Sequence, residues 1–341
     1  MPFVAGGRTH KTLDGITAMT PNLPTITQLP LTSRVVKIAI RLTGTLTLAS
    51  YTVAPTKAVE GIENLIQSIR VVGQRLKPGA QVGTYINVDP AFLVKQTTFF
   101  EGTAPTRVDV GTANGAYNFE TNFNIYLMPP RTRLLGVLGI DGRLLSSFNL
   151  IAQWRDVNAV VSGGTGGTAT LSNVGFTTTV DAFEGGSEIA GSPFALTTYR
   201  DTDITASKDN LSIENLPIDG ILTRQVFKGM IGANDHADPS DALFASVAKA
   251  EGGHITTDIL NYSMRPFDAI YGAMRADNKQ WFGLESMPAG YAVRDYLKTG
   301  QPLNLVRLGQ KARNVFDVTY TSGNVNTLRI YDERIVRNIS A

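Results

Sequence analysis

The chain has 341 residues, enough for two units of about 170 residues each to bury a core of their own. Its 31 basic and 29 acidic side chains leave a formal charge of +2, too balanced for a protein that must coat phosphate backbones, so no specific nucleic acid is expected as a partner. There is no cysteine, which excludes disulfides, thiolate nucleophiles and cysteine-held metals and fits assembly in a reducing cytoplasm.

The start, Met1 to Gly7, carries neither the basic region nor the long apolar stretch of a signal peptide. No apolar run reaches the length of about 18 residues that a membrane-spanning helix needs. Residues 1–33 hold Pro2, Pro21, Pro24 and Pro30 among Gly and Thr, with no sustained helical or strand period, and read as an extended N-terminal arm. From Ser33 the pattern changes. Val36, Ile38, Ile40, Leu42, Leu46 and Leu48 share one face, and Lys37, Arg41, Thr43, Thr45 and Thr47 the other, which is the signature of a half-buried strand. Burying each of those apolar side chains is worth about 1.5 to 3 kcal/mol before entropy is subtracted, so the strand must pack on a second sheet or layer.

Further along, Asp89-Pro90 leading into Ala91 to Val94 predicts a short helix with Asp at the N-cap and Pro at the first helical position. Alternation returns at Phe123, Ile125 and Leu127, and at Phe148, Leu150 and Trp154, which places Trp154 in the core. Ser162 to Thr168 is rich in glycine and falls just before the midpoint, where a linker between two units is expected. A second Gly-rich stretch, Glu184 to Pro193, reads as a long loop inside the second unit. Asp238-Pro239 before Ala242 to Ala250, and Pro266 before Phe267 to Tyr271, predict two more helices in loops. Phe316, Val318 and Tyr320 close the series of short strands. Many short strands with so few helices read as antiparallel sandwich or barrel, because a parallel sheet needs a helical crossover after nearly every strand.

Little in the chain promises chemistry. The Gly-rich stretch lacks the Gly-Lys-Ser/Thr ending of a phosphate loop, and His10, His236 and His254 are the only histidines, so no catalytic residue, cofactor site or metal site is assigned. Asp235, His236, Asp238 and Asp241 form the one cluster with cation-binding side chains, and the plainer reading is a solvated loop that caps a helix. Asp181 with Glu184, or Asp201 with Asp203, would serve glycoside hydrolysis only if held about 5 to 9.5 Å apart. Trp281 is either core, subunit contact or a sugar platform.

One pattern spans the chain. Leu65 to Val71 pairs with Ile221 to Phe227 at an offset of 156, and Met128-Pro129 and Leu145 pair with Met287-Pro288 and Leu303 at nearly the same distance, the trace of a duplicated domain.

The segments Ser33–Leu48, Glu63–Val71, Ser147–Asp156, Leu216–Arg224, Met287–Tyr296 and Leu303–Val318 together resemble the double jelly-roll major capsid proteins of tailless icosahedral viruses, the lineage of internal-membrane phages and adenovirus. The likeness is one of pattern and order across most of residues 33–336, with no diagnostic short motif. It implies an all-β chain of two eight-stranded antiparallel jelly rolls in tandem with a few short helices in loops. The expected division is an arm at 1–33, a first jelly roll at 34–162, a linker at 163–168 and a second jelly roll at 169–341. It implies a structural protein of the virion capsid without enzymatic activity or cofactor, assembled in the host cytoplasm as pseudo-hexagonal homotrimers. Its partners would be itself, neighbouring capsomers and minor capsid or penton proteins. The arm would order on assembly, with Arg8, His10 and Lys11 available to an anionic internal membrane. A two-domain jelly-roll glycan hydrolase and a carbohydrate-binding protein are the alternatives.

Overall fold

The computed structural model describes residues 7–13, 15–76, 82–101, 103–128, 139–185, 193–213, 220–232, 238–240, 243, 250–251, 290–295, 303–304, 314–318, 320–321 and 324–337. The chain divides into two compact units, Met1–Leu196 with Arg337–Ala341, and Thr197–Val336.

In the first unit the chain runs through β1 (Gly7–Thr12), β2 (Thr17–Ala18), β3 (Pro24–Gln28), β4 (Ser33–Ala49), β5 (Thr56–Lys57), β6 (Ile66–Arg75) and β7 (Val82–Val88). After helix α1 (Pro90–Glu101) come β8 (Arg107–Val108), β9 (Gly115–Tyr126), β10 (Ile140–Asp141), β11 (Leu145–Trp154), β12 (Val161–Ser162) and β13 (Thr168–Glu184). One sheet is ordered β1-β13-β4-β9-β8, with β10 beside β4 and β2 beside β13; another runs β7-β6-β11-β3. These pairings are antiparallel.

The alternation in β4 does what it predicts. Val36, Ile38, Ile40, Leu42, Leu46 and Leu48 are buried, and so are Phe148, Leu150, Ala152 and Trp154, which β11 turns inward at every second residue. Trp154 stacks on Phe176 of β13 with centroids 5.7 Å apart, and its indole N–H donates to Thr25 Oγ1 at 2.8 Å. Asp89 accepts the Phe92 N–H at 2.8 Å, so α1 starts where the Asp-Pro pair predicts. The helix then covers the margin of β9: Thr97 Oγ1 accepts the Asn124 N–H at 2.9 Å, and Glu101 accepts from the Tyr126 hydroxyl at 2.7 Å.

The arm is part of the sheets. β1 pairs Gly7–Thr12 with Glu184–Thr179, and β3 pairs Pro24–Gln28 with Gln153–Asn149, so each adds an outer strand to one sheet. Between them the Met19 N–H donates to Val174 O at 2.9 Å, and the Thr17 and Thr27 hydroxyls meet at 2.8 Å. An outer strand draws its stability from backbone bonds rather than from an apolar face, so it leaves no hydrophobic period, and Pro24 is tolerated at its first residue.

Gly163–Thr168, expected as the linker between units, lies inside the first unit. Gly163, Gly164 and Gly166 have φ of 70°, 82° and 77°, the left-handed conformation of a turn, and Thr165 bridges Val53. The strand that follows, β13, pairs with β4 from Thr168 to Glu184. The division between compact units falls instead after Leu196, within β14 (Pro193–Ile204). Glycine richness marked a turn because both uses need the same backbone freedom.

The second unit holds the rest of β14 and β15 (Lys208–Ile213), β16 (Ile221–Gly232), β17 (Asp238–Pro239), β18 (Ala250–Glu251), β19 (Tyr291–Asp295), β20 (Leu303–Asn304), β21 (Asn314–Val318) and β22 (Val325–Arg337). β16 pairs antiparallel with β17, β19, β20 and β22, and β21 pairs with β15 and β18. Asp238-Pro239, expected at a helix start, is a short strand bonded to Met230 and Ile231 instead. The helix expected at 266–271 and the Met287-Pro288 repeat lie outside the described residues. The offset fails in one strand pairing, where Leu145 faces Arg75 but Leu303 faces Leu222, and recurs in another. Gln74 faces Val82 in the first unit and Met230 faces Pro239 in the second, displaced by 156 and 157 residues.

A Cβ at Gly175 would sit 2.7 Å from Ile16 Cγ2 and 2.8 Å from the Thr17 carbonyl, a separation only glycine permits between β13 and the arm. Gly175→Val is therefore expected to lift residues 16–18 off β13 while leaving the rest of the barrel intact. Limited proteolysis read by mass spectrometry should show cleavage within the arm at least tenfold faster than in the parent, with a melting temperature lowered by only a few degrees.

Candidate functional site

Of the side chains that sequence reasoning singled out for chemistry, Asp181, Asp201 and Asp203 are tied to neighbouring strands. Asp181 of β13 is 5% exposed and ringed by cations. Arg8 Nη2 donates to its Oδ2 at 3.0 Å, His10 Nδ1 contacts its Oδ1, and Lys37 Nζ stands 3.7 Å away. The register explains the convergence: His10, Asp181 and Lys37 are cross-strand neighbours on β1, β13 and β4 and share one face. Burial opposes ionisation of Asp181, but the hydrogen bonds from His10 and Arg8 and the charges of Lys37 and Arg8 outweigh it and hold the carboxyl below the usual carboxylate range. Asp181 and Glu184 are not a hydrolytic pair. Three residues apart on a strand they tend to opposite faces, and Asp181 already serves as the anchor of the arm. Sequence spacing hid this because Arg8 and His10 lie 173 and 171 residues away.

Asp201 and Asp203 are likewise occupied. Arg329 of β22 forks onto Asp201 with Nε–Oδ1 and Nη2–Oδ2 both at 2.7 Å and stacks its guanidinium over the Tyr199 ring at 4.0 Å, and the Thr327 hydroxyl lies 3.3 Å from Asp203. A carboxylate gripped in two places by an Arg fork is unsuited to protonating a leaving group or attacking a sugar.

Other ionic groups, missed in the sequence, fasten loops and strands together. Asp141 accepts from Arg143 at 2.6 Å and stands 3.6 Å from the buried Arg34, joining β10 to β4. Glu63, buried before β6, takes Arg107 Nε at 3.0 Å and Thr121 Oγ1 at 3.2 Å; burial pushes its carboxyl up against the pull of Arg107. Arg107 also reaches Asp109, which Lys57 holds at 2.8 Å. In the second unit β16 is buried along Leu222–Met230 yet carries Arg224, Gln225 and Lys228. Arg224 pairs with Glu333 at 3.0 Å, Gln225 donates to Asp332 at 2.8 Å, and Lys228 lies over the Tyr291 ring at 5.4 Å. Burial pushes Asp332 up, opposed by Arg200 and Gln225. No local signal marks the partners of Arg224 and Gln225, which lie 109 and 107 residues further along the chain.

Trp154 is 1% exposed and unavailable to a sugar, while Trp281, Asp235, His236 and Asp241 lie outside the described residues. Asp238 sits in β17. Among the described residues no three His, Asp or Glu side chains gather as a metal site, and no helix is long and apolar enough to cross a membrane.

No protein-family model and no curated protein matches the sequence. The fold is shared with solved viral shell proteins. The major capsid protein of Sulfolobus turreted icosahedral virus matches with a TM-score of 0.72 at 13% identity, over 97% of this chain and 97% of that chain. The capsid structure of PBCV-1 matches with 0.57 at 10% identity, over 98% and 95%, and the major capsid protein of bacteriophage PM2 with 0.54 at 11%, over 97% and 98%. The chain thus has the all-β double jelly-roll fold of those proteins, as the resemblance implied.

Because the folded state holds Asp181 below its unfolded pKa of about 3.9, the stability it contributes is present above that pH and is lost as pH falls through the lower, folded value. The arm of the parent protein should resist limited proteolysis at neutral pH and become cleavable below about pH 4. Asp181→Asn should leave it cleavable at both, at a cost of about 1 kcal/mol in urea unfolding, because the partners are mostly exposed and screened. Equal protection of the variant at pH 7 would remove Asp181 as the anchor.

Proposed function

We propose that this chain is the major capsid protein of an icosahedral virion, a structural protein without catalytic residues. What supports the reading most is the extent of the fold match, a likeness that covers nearly the whole of this chain and of viral major capsid proteins. The placement of charge agrees. Two of the carboxylates that a glycan hydrolase would use, Asp181 and Asp201, are bound by cations on neighbouring strands, and Trp154 is core, so neither the hydrolase nor the carbohydrate-binding alternative is favoured.

In this reading three copies close by rotation into a homotrimer whose six similar barrels give a pseudo-hexagonal outline. A heterologous contact that closes in this way covers lateral surfaces without growing into a filament. The trimers then meet neighbouring capsomers and minor capsid or penton proteins, after assembly in the host cytoplasm. Contact with an internal membrane would pass through the arm. Arg8 and His10 are engaged by Asp181, so Lys11, exposed on β1, is the cation it would present.

Analytical ultracentrifugation of the purified chain should reveal a species three times the 36.7-kDa monomer, and electron microscopy should show a near-hexagonal outline. A protein that stays monomeric at high concentration and forms no particle under any salt or crowding condition would end this reading.

A further inference from the structure

Most sheet faces that stay in water carry Lys and Glu, which keep copies apart. The outer face of the β13-β4-β9 sheet is different. On β4 the residues Thr43, Thr45 and Thr47 point outward, and the register sets Thr170 and Ser172 beside them on β13 and Asn118 on β9. Thr170, Ser172 and Asn118 are exposed and the three β4 threonines partly so. The charges of this face come in pairs that neutralise themselves, Arg41 with Glu120 at 2.7 Å in the middle and Lys37 with Asp181 at 3.7 Å toward one end.

From this face we infer a contact between two copies of the chain, related by a twofold axis; the inference rests on the capsid reading and adds a surface to it. Three properties select a second copy as the occupant. Hydroxyl and amide side chains both donate and accept, so the face is complementary to an identical face, whereas a face of one charge would repel its twin. Its size is suitable: three strands spaced about 4.8 Å apart over about twelve residues of 3.4 Å each project about 600 Å², close to the roughly 800 Å² per partner of a standard interface. Its shape is suitable too, since two sheets of the same twist pack face to face in an aligned manner. The margins are already closed by β1 on one side and by β8 and α1 on the other, which directs association onto the face rather than onto an edge. The contact is polar and wet, weak for one pair and strong only when repeated around a closed shell.

The test uses three versions of the full-length chain. Thr45→Lys with Thr170→Lys sets like charges opposite one another, and sedimentation equilibrium should show association between capsomers weakened at least tenfold with the capsomer itself retained. Thr45→Glu with Thr170→Glu should fail in the same manner. Mixing the two versions should restore association, a rescue that an unfolded variant cannot give. Gln67→Lys, on the exposed side of β6 in the other sheet, should associate as the parent does. Lysine and glutamate versions that each assemble like the parent, or a mixture that gains nothing, would overturn the contact while leaving the capsid reading intact. A parent chain that never associates would instead remove the reading on which the contact rests.

Discussion

An antiparallel sandwich is stable only if the backbone groups along the margins of its sheets are satisfied, and in the first unit that requirement organises almost everything else. β1 occupies one margin, β3 a margin of the other sheet, and α1 the far side of β9 through the Thr97 hydroxyl. The arm, which has no core of its own, is held by this backbone pairing and by the Asp181 cluster at one end and the Trp154–Thr25 bond at the other. Unpaired edges recruit other chains without discrimination. A protein that must associate many times in one geometry needs its edges closed first, so that only chosen faces remain.

The same economy governs charge. Acidic side chains that look available in the sequence are bound to Arg or Lys on an adjacent strand: Asp181, Asp201, Asp141 and Glu63 each fasten one element to another. Pairing of this kind contributes modestly to stability at exposed positions, and at buried ones such as Asp332 or Glu333 it chiefly avoids the severe cost of a lone charge. Such groups specify how strands align.

Much of the barrel was legible in advance. The period of two from Val36 to Leu48 gave its face and its strand, Phe148 to Trp154 gave the facing strand, and Asp89-Pro90 marked the start of α1, because in each the side chains answer to a local or nearest-layer demand. β16 was harder to read as fully buried. Arg224 and Lys228 interrupt its apolar run, and only Glu333 and Tyr291, far along the chain, explain why they can be there. The arm escaped as sheet for a related reason: β1 and β3 are held by main-chain bonds that any sequence can make.

What the amino-acid order determined by itself was the kind of structure: an all-β chain of alternating strands, without cysteine chemistry or a nucleotide loop, and with a half-length repeat that points to two similar units. These depend on spacing along the chain, where the period of a strand and the geometry of a cap are written in neighbouring residues. Only the tertiary structure decided that the turn at Gly163–Thr168 belongs inside the first unit, that the arm closes its sheets, and that Asp181 is an anchor rather than an acid. Those outcomes depend on partners more than a hundred residues apart brought within 4 Å, and a distance of that kind has no trace in local sequence.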